Sequence, residues 1–584
     1  MTQENGTPST TPAGLKSAYD AIVIGAGVSG LTSAALLSRA GLSVLVLESD
    51  SRPGGYLAGF RRHDFRFDSA IHWLNQLGPN GLITRVFDVI GKDHPRADQQ
   101  KRVKRYLGDT YDYLLTDNPE LFKADLIRDF PHEEKGINRF FEHAKELGAA
   151  FDKLGNMFRT EESMGGLEYG LFMLKKLKFA LPFIKHIRFT GAEGVEKGLN
   201  RYFKDKRIHE IFGSEMDLLS CLVPIGWAYY GDFQLPPKGG SQVIPEWLCH
   251  VVEHFGNQIQ FRSRVKEILL DGNKAVGCKF EFNKKIYEVR STYVLAACDI
   301  QALYEKMLPA HIIPAKLKSK LNDAKLYSSS VTLSLALDCP VENFGFGEEM
   351  IYLSKNGLER EAHANGDPHT NGISILAPSF RDPSLAPEGK GTLTIYVPAF
   401  FQQESEWHTE RTEAGEVIRG DAYKLHKQAY ADILLERVEK RLAPGLRQHI
   451  EYLDIATPIT HWRYTGNRDG SMMGARPGKE NMQAKIAHYK TPVTNLILGG
   501  HWAELGGGVP IAVRAAANSA LLVLQSAKPE ISKKLADYLD AKISDAELNN
   551  SFLPYDNSWV QSPTPAQKKK LRSELKHPEP NSED

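Results

Sequence analysis

The 584-residue chain is 42% hydrophobic, enough to bury at least one large core, and its length predicts two or more domains; disorder throughout is excluded. Its 72 basic and 72 acidic residues cancel, so no global field would hold it on nucleic acid, which is excluded as an expected partner. The five cysteines, Cys221, Cys249, Cys278, Cys298 and Cys339, are odd in number and never spaced as CxxC, which suits a reducing compartment and points to no metal site.

In chain order, residues 1–18 are rich in Thr, Pro and Gly and lack both an apolar core and an Arg-rich pattern, so a flexible tail without an export signal is expected, and a cytoplasmic chain. Residues 19–25 read as a short buried strand and 28–40 as a helix that Gly41 stops; 43–48 form a second apolar strand. Together they make a βαβ unit of about thirty residues. Residues 167–189 are apolar but interrupted by Lys175, Lys176, Lys178, Lys185, His186 and Arg188, so they can lie on a membrane but not cross it. The alternative, a helix of a second domain with a solvated basic face, stays open.

Strands are predicted at 259–268, 275–281 and 285–296, with turns at Asp271-Gly272 and near Asn283, and a last one at 495–498 before a long helix at 509–524. A nucleotide-binding domain would then be assembled from residues 19–90, 236–309 and 456–530. The inserts 91–235 and 310–455 would form a mixed α+β domain over it, and 545–584, polar and punctuated by prolines, a flexible tail.

Gly25-Ala26-Gly27-Val28-Ser29-Gly30 is GxGxxG between a strand and a helix, which lets the backbone turn tightly and brings a pyrophosphate to the helix N-terminus. Glu48 ends the next strand, where a carboxylate can accept ribose hydroxyls. A purely structural turn is the competing reading, and the two strands, helix and acid in their required places weigh against it. The pattern continues with Arg52-Pro53-Gly54-Gly55 and Phe67-Asp68-Ser69-Ala70-Ile71-His72. Acid, short spacer, double glycine, then FD and a nearby His resembles the FAD-dependent amine oxidase and phytoene desaturase superfamily. The resemblance implies an α/β fold with a Rossmann-type FAD domain, and FAD rather than NAD on Gly25, Gly27, Gly30, Glu48, Arg52, Gly54 and Gly55.

Four later segments resemble the branch that holds phytoene desaturases, carotenoid isomerases and retinol saturases. Pro237-Lys238-Gly239-Gly240-Ser241 resembles its P-x-G-G element, and Val265-Lys266-Glu267-Ile268 its V-x-x-I strand, in which the Val265 backbone would meet adenine. Thr457-Pro458, Arg463-Tyr464-Thr465-Gly466 and Gly470-Ser471 resemble its TP, RYTG and GS signature, and residues 499–510 its C-terminal flavin motif. That motif implies cofactor contacts from Gly500, His501, Gly507, Gly508 and Val509. A glycine run opening a helix offers backbone N–H groups and the positive end of a dipole to charge developing on a reduced flavin; glycines serving only close packing are the alternative. His501 stands where many relatives carry an acid, and Leu505 where proline is usual.

By their places in these motifs, His72, His501, Trp502 and Glu504 are the candidate catalytic residues, although the family supplies no triad to transfer. No second GxGxxG exists to hold NADPH, so electrons would pass to oxygen, a quinone or the product, or come from a source the sequence does not encode. The expected activity is desaturation, saturation or isomerisation of carbon-carbon double bonds in a long apolar isoprenoid, carotenoid-like or related lipid. Two alternatives are a flavin amine oxidase and a non-catalytic, FAD-stabilised lipid-binding protein. Direction, substrate identity and oligomeric state are not written in the sequence.

Overall fold

Strand Ala18–Ile24 carries four consecutive buried residues at its end, and the next strand, Val44–Leu47, is buried throughout. Apolar runs without alternation belong to parallel sheets covered on both faces. The computed structural model, which describes residues 12, 14–153, 158–401, 407–412 and 417–576, places these strands side by side and parallel. Gln258–Gln260 extends the sheet beyond Val44–Leu47, while Lys285–Ala296 flanks the other side of Ala18–Ile24 and carries Leu496–Leu498 at its far end, all parallel. Two antiparallel strands, Lys274–Phe282 and Arg264–Asp271, complete a seven-stranded sheet.

Helix Val28–Arg39 covers this Rossmann-type sheet together with Val509–Ala527, and Ser33 Oγ donates to the Ala516 carbonyl between them. Val509–Ala527 has the length and apolarity of a membrane span, but 67% of its apolar window is buried inside the protein, so it serves here as a core helix. The hairpin predicted near Asn283 is present: Asn283 and Lys284 have φ of 50° and 63°, the left-handed pair that suits a tight two-residue turn. The single strand expected at 259–268 is instead two, Gln258–Gln260 and Arg264–Asp271, parted at Arg262 with φ 56°. The two halves pair at opposite edges of one sheet, a change of partner to which side-chain periodicity is blind.

A second seven-stranded sheet runs in the order Ile450–Ala456, Ser329–Leu337, Gly391–Ala399, Ile373–Leu376, Met350–Leu353, Arg102–Leu107, Asp112–Thr116. Parallel pairing of Arg102–Leu107 with Met350–Leu353 joins the two inserted stretches in this one sheet. Against it lies a helical cluster in which Glu134–Asp152 packs on Leu218–Tyr229. Helix Gly166–Ile187 takes up most of residues 167–189.

The flexible tail expected at 545–584 needs correction over its described part. Asp545–Asn549 and Pro565–Lys576 are helical, and the segment between them lies along the protein, where Thr564 is fully buried. Specific anchors override the polar, proline-rich composition: Tyr555 Oη and the Trp559 N–H both donate to Asp93 at 2.8 and 2.9 Å, and Thr564 Oγ1 to the Ser384 carbonyl at 2.6 Å. The expectation for residues 1–18 falls mostly outside the described residues.

Candidate functional site

Three glycine turns meet at the start of helix Val28–Arg39. The Gly54 N–H donates to the Ala26 carbonyl and the Gly500 N–H to Ser29 Oγ, each at 2.8 Å, so the double-glycine and carboxyl-terminal motifs both rest on GxGxxG. A Cβ on Gly30 would fall 2.0 Å from the Gly25 carbonyl oxygen, which only glycine avoids. Gly54, at φ 128°, turns the next loop where a side chain would strain it. Arg52 Nη1 fixes that loop by donating to the Gly59 carbonyl at 2.7 Å.

Glu48 projects from the end of Val44–Leu47. Its Oε2 accepts from the Ala26 N–H and its Oε1 from the Asp50 N–H, both at 2.7 Å, which aims the carboxylate along the same turn. Burial pushes its pKa up, opposed by those two backbone donors. The Ser263 N–H donates to the Glu48 carbonyl at 2.7 Å, bringing buried Val265, two residues on, to the same end of the sheet.

Past the carboxyl end of Leu496–Leu498, at this same end of the sheet, Gly508 caps Val509–Ala527 and Val509 is buried in its first turn. The 471–475 loop lies against this turn. A Cβ on Gly474 would sit 2.3 Å from His501 Cδ2, and one on Gly507 2.0 Å from Met473 Sδ. Tyr56 Oη donates to the Ser471 carbonyl at 2.7 Å, tying the double-glycine loop to the same wall. Burial lowers the His501 pKa to about 4, so its ring is neutral at physiological pH.

Does a dinucleotide fit? A Cβ on Gly27 or Gly500 would meet nothing within 4 Å, so open space lies between turns that otherwise touch. His501 Nε2 and Trp502 Nε1 beside it are shielded from solvent and have no hydrogen-bond partner among the described residues. Buried polar atoms normally have one, and these two fit a ligand that supplies it.

The four candidate catalytic residues do not share one place. His501 and Trp502 adjoin, with ring centroids 5.9 Å apart. Glu504 is clamped: Tyr489 Oη donates to its Oε1, and Arg514 Nη1 lies 3.4 Å from Oε2, a geometry that positions the turn. His72 stacks on Tyr396 with centroids 4.0 Å apart and lines a narrow cavity with Asp68, Gly240 and Arg381. Ser29, Tyr56, Arg381 and Tyr396 were not legible from motif spacing. Ser29 alone had a signal, as the variable position of GxGxxG facing the second glycine motif.

The model of the flavin-containing amine oxidoreductases matches residues 28–524. The chain belongs to that family. FAD is its cofactor, and it is an FAD-dependent oxidoreductase. Over 538 residues it is 26% identical to the all-trans-retinol 13,14-reductase of Danio rerio, covering 82% of each chain. The chloroplastic prolycopene isomerase of Arabidopsis thaliana is 26% identical over 479 residues, covering 80% of this chain and 75% of the relative. Among solved structures, an oxidoreductase from Methanosarcina mazei shares the fold with a TM-score of 0.53 at 16% identity, covering 87% of this chain and all of the other (100%). A putrescine oxidase triple mutant reaches a TM-score of 0.56 at 13% identity, covering 87% and 99%.

Proposed function

We propose that this flavoprotein inserts, removes or isomerises carbon-carbon double bonds in a long apolar isoprenoid. The observation that carries the reading is the similarity, over about four-fifths of the chain, to a retinol 13,14-reductase and to prolycopene isomerases, whose names share one chemistry: a change at a polyene double bond. When bound, FAD supplies a two-electron acceptor or donor.

The chain's own residues then hold and tune the site. Gly25, Gly27 and Gly30 open the N-terminus of Val28–Arg39 to the diphosphate, and Glu48 accepts the ribose hydroxyls. Arg52, Gly54 and Gly55 lead toward the flavin, and the Val265 backbone meets adenine. Gly500, Gly507, Gly508 and Val509 would hold the flavin end of the cofactor, where the start of Val509–Ala527 offers N–H groups and the positive end of its dipole. His501, neutral, offers one hydrogen bond where relatives place an acid; Trp502 offers an N–H, and Glu504 positions the turn. An amine substrate fits the neighbouring cavity poorly, because Arg381 would face a second cation.

Entry from a bilayer completes the reading. Helix Gly166–Ile187 packs the half-buried Phe179 and Phe183 against Phe151. Its other face exposes Leu167, Leu171, Leu174, Leu177, Leu181 and Ile184, with Leu167 at 86% and Leu174 at 65%. Spacings of three and four put these six on one stripe, bordered by Lys175 and interrupted by Lys178, a mixed apolar and cationic face of the kind that lies at a membrane surface.

Anaerobic mixing with all-trans-retinol or a cis-lycopene, following flavin absorbance and then product mass, tests the reading. Bleaching with a change of two hydrogens, or an isomerised product of unchanged mass, is expected. FAD uptake with no product from any polyene would leave only the non-catalytic lipid-binding alternative.

A further inference from the structure

Beside the cofactor turns lies a cavity of about 20 Å³, room for one or two water molecules. Its walls are mostly apolar, including Ile71, Pro236, Leu376 and Leu385, and Arg381 and His72 face into it. Arg381 Nε donates to the Glu348 carbonyl at 2.8 Å and Nη1 to the His72 carbonyl. The third nitrogen, Nη2, and His72 Nδ1 are shielded from solvent and have no hydrogen-bond partner among the described residues.

Nearby carboxylates do not fill the vacancy around Nη2. Glu349 is held by Arg102 Nε at 2.7 Å, and Glu348 by the N–H groups of Lys101 and Arg102 at 3.2 and 2.8 Å. Asp68 Oδ1 accepts from the Ser241 N–H and hydroxyl, both at 2.8 Å, and Asp382 from the N–H groups of Gly239 and Ser384 at 2.6 and 3.0 Å. Arg381 makes no ion pair among the described residues. Burial lowers its pKa only to about 10, so it stays a cation at neutral pH, while burial and Arg381 hold His72 neutral, near 3.

A shielded guanidinium with two nitrogens pinned and one free is an anchor awaiting an acceptor; one oxygen of a two-oxygen anion can accept from Nη2 and the other from His72 Nδ1–H, and a dry cavity raises the value of the pairing. The volume admits such a head group and no more. The cavity also connects to the cofactor turns. Gly240 lines it, Ser241 Oγ donates to the Leu57 carbonyl at 2.9 Å, and Gln242 Nε2 to the Pro53 carbonyl at 3.2 Å, on either side of the double glycine.

We propose that Arg381 and His72 form a head-group site for the carboxylate of a long-chain isoprenoid acid, and so fix which carbon-carbon bond is presented to the flavin. This rests on the function proposed above. Arg381 is the specificity-determining residue, with His72 Nδ1–H donating the second hydrogen bond.

The test uses the full FAD-loaded chain and follows the flavin spectrum during titration with all-trans-retinoic acid, all-trans-retinol, lycopene and palmitoleic acid. The native protein should bind retinoic acid about tenfold or more tighter than retinol, the scale of one charge-assisted hydrogen bond. Arg381→Gln should remove that preference while leaving retinol and lycopene within about twofold, and Arg381→Lys should restore part of it. The ligand series on native protein needs no variant, so it decides even if Arg381→Gln fails to fold. Equal affinity for acid and alcohol overturns the head-group site and leaves the polyene function standing. Arg381-dependent binding of palmitoleic acid alone would support the carboxylate site and sink the isoprenoid reading; no binding of any ligand would sink both.

Discussion

His461 is buried, while His72 and His501 are half-buried with a ring nitrogen shielded from solvent, and this desolvation holds the three pKa values, for His72, His461 and His501, at about 3, 4 and 4. In the unfolded chain each would titrate near 6.5. Between those values the unfolded state binds more protons than the folded one, so stability rises with pH; it is fully present above about 6.5 and is lost as pH falls toward 4. Each histidine should cost on the order of 2 kcal/mol by pH 5. Urea midpoints should therefore fall between pH 7 and pH 5, with FAD released in the same transition. His461→Gln should flatten the slope, because the amide can still meet Ser330 Oγ, 3.1 Å from His461 Nε2, without taking up a proton. A midpoint that does not move over this range would mean the three rings are not desolvated. The same neutrality bears on chemistry: neither His72 nor His501 is placed to act as a cation, so substrate binding should not follow a histidine titration.

Among the elements, those legible in the sequence were the ones whose neighbours in space are also neighbours in the chain. The Ala18–Ile24, Val28–Arg39 and Val44–Leu47 unit closes on itself, and its glycines carry their reason in their spacing. Arg381 was invisible by the same logic: it ends a four-residue helix, Pro378–Arg381, and gains meaning only from His72, 309 positions away. Helix Gly166–Ile187 lies between these cases. Its alternation of apolar and cationic residues was readable, but not which apolar face was spent internally. The structure assigns Phe179 and Phe183 inward and the leucine stripe outward. Replacing Leu171, Leu174 and Leu181 with Ser should therefore abolish flotation with vesicles containing anionic phospholipid and leave FAD content and thermal midpoint unchanged, since none of the three is buried. Loss of FAD in this variant would show instead that the stripe supports the fold.

For the whole molecule, the question is what holds the two sheets in one arrangement around the cavity. Part of the answer is the carboxyl-terminal strap, whose composition promised only flexibility. Its contacts fall on both units: Tyr555 and Trp559 on Asp93, Gln561 Nε2 on the Lys238 carbonyl at 2.7 Å, and Thr564 on Ser384, two residues past Asp382 in the cavity wall. The Lys569 to Asp64 ion pair, at 2.7 Å, is exposed and adds little. Ending the chain at Leu553 keeps that residue's bonds to Arg39 and removes everything beyond. At about 1 kcal/mol for each hydrogen bond lost at a buried partner, the thermal midpoint should drop by a few degrees, about 3 °C. FAD should remain bound, because none of the glycine turns touches the strap. Affinity for a carboxylate head group should weaken more than affinity for a hydrocarbon, since the Lys238 and Ser384 anchors brace the segments that bear Gly240 and Asp382. Equal weakening of both ligands would make the strap a general clamp on the fold, whereas selective loss of the acid would tie the tail to the geometry of the head-group site.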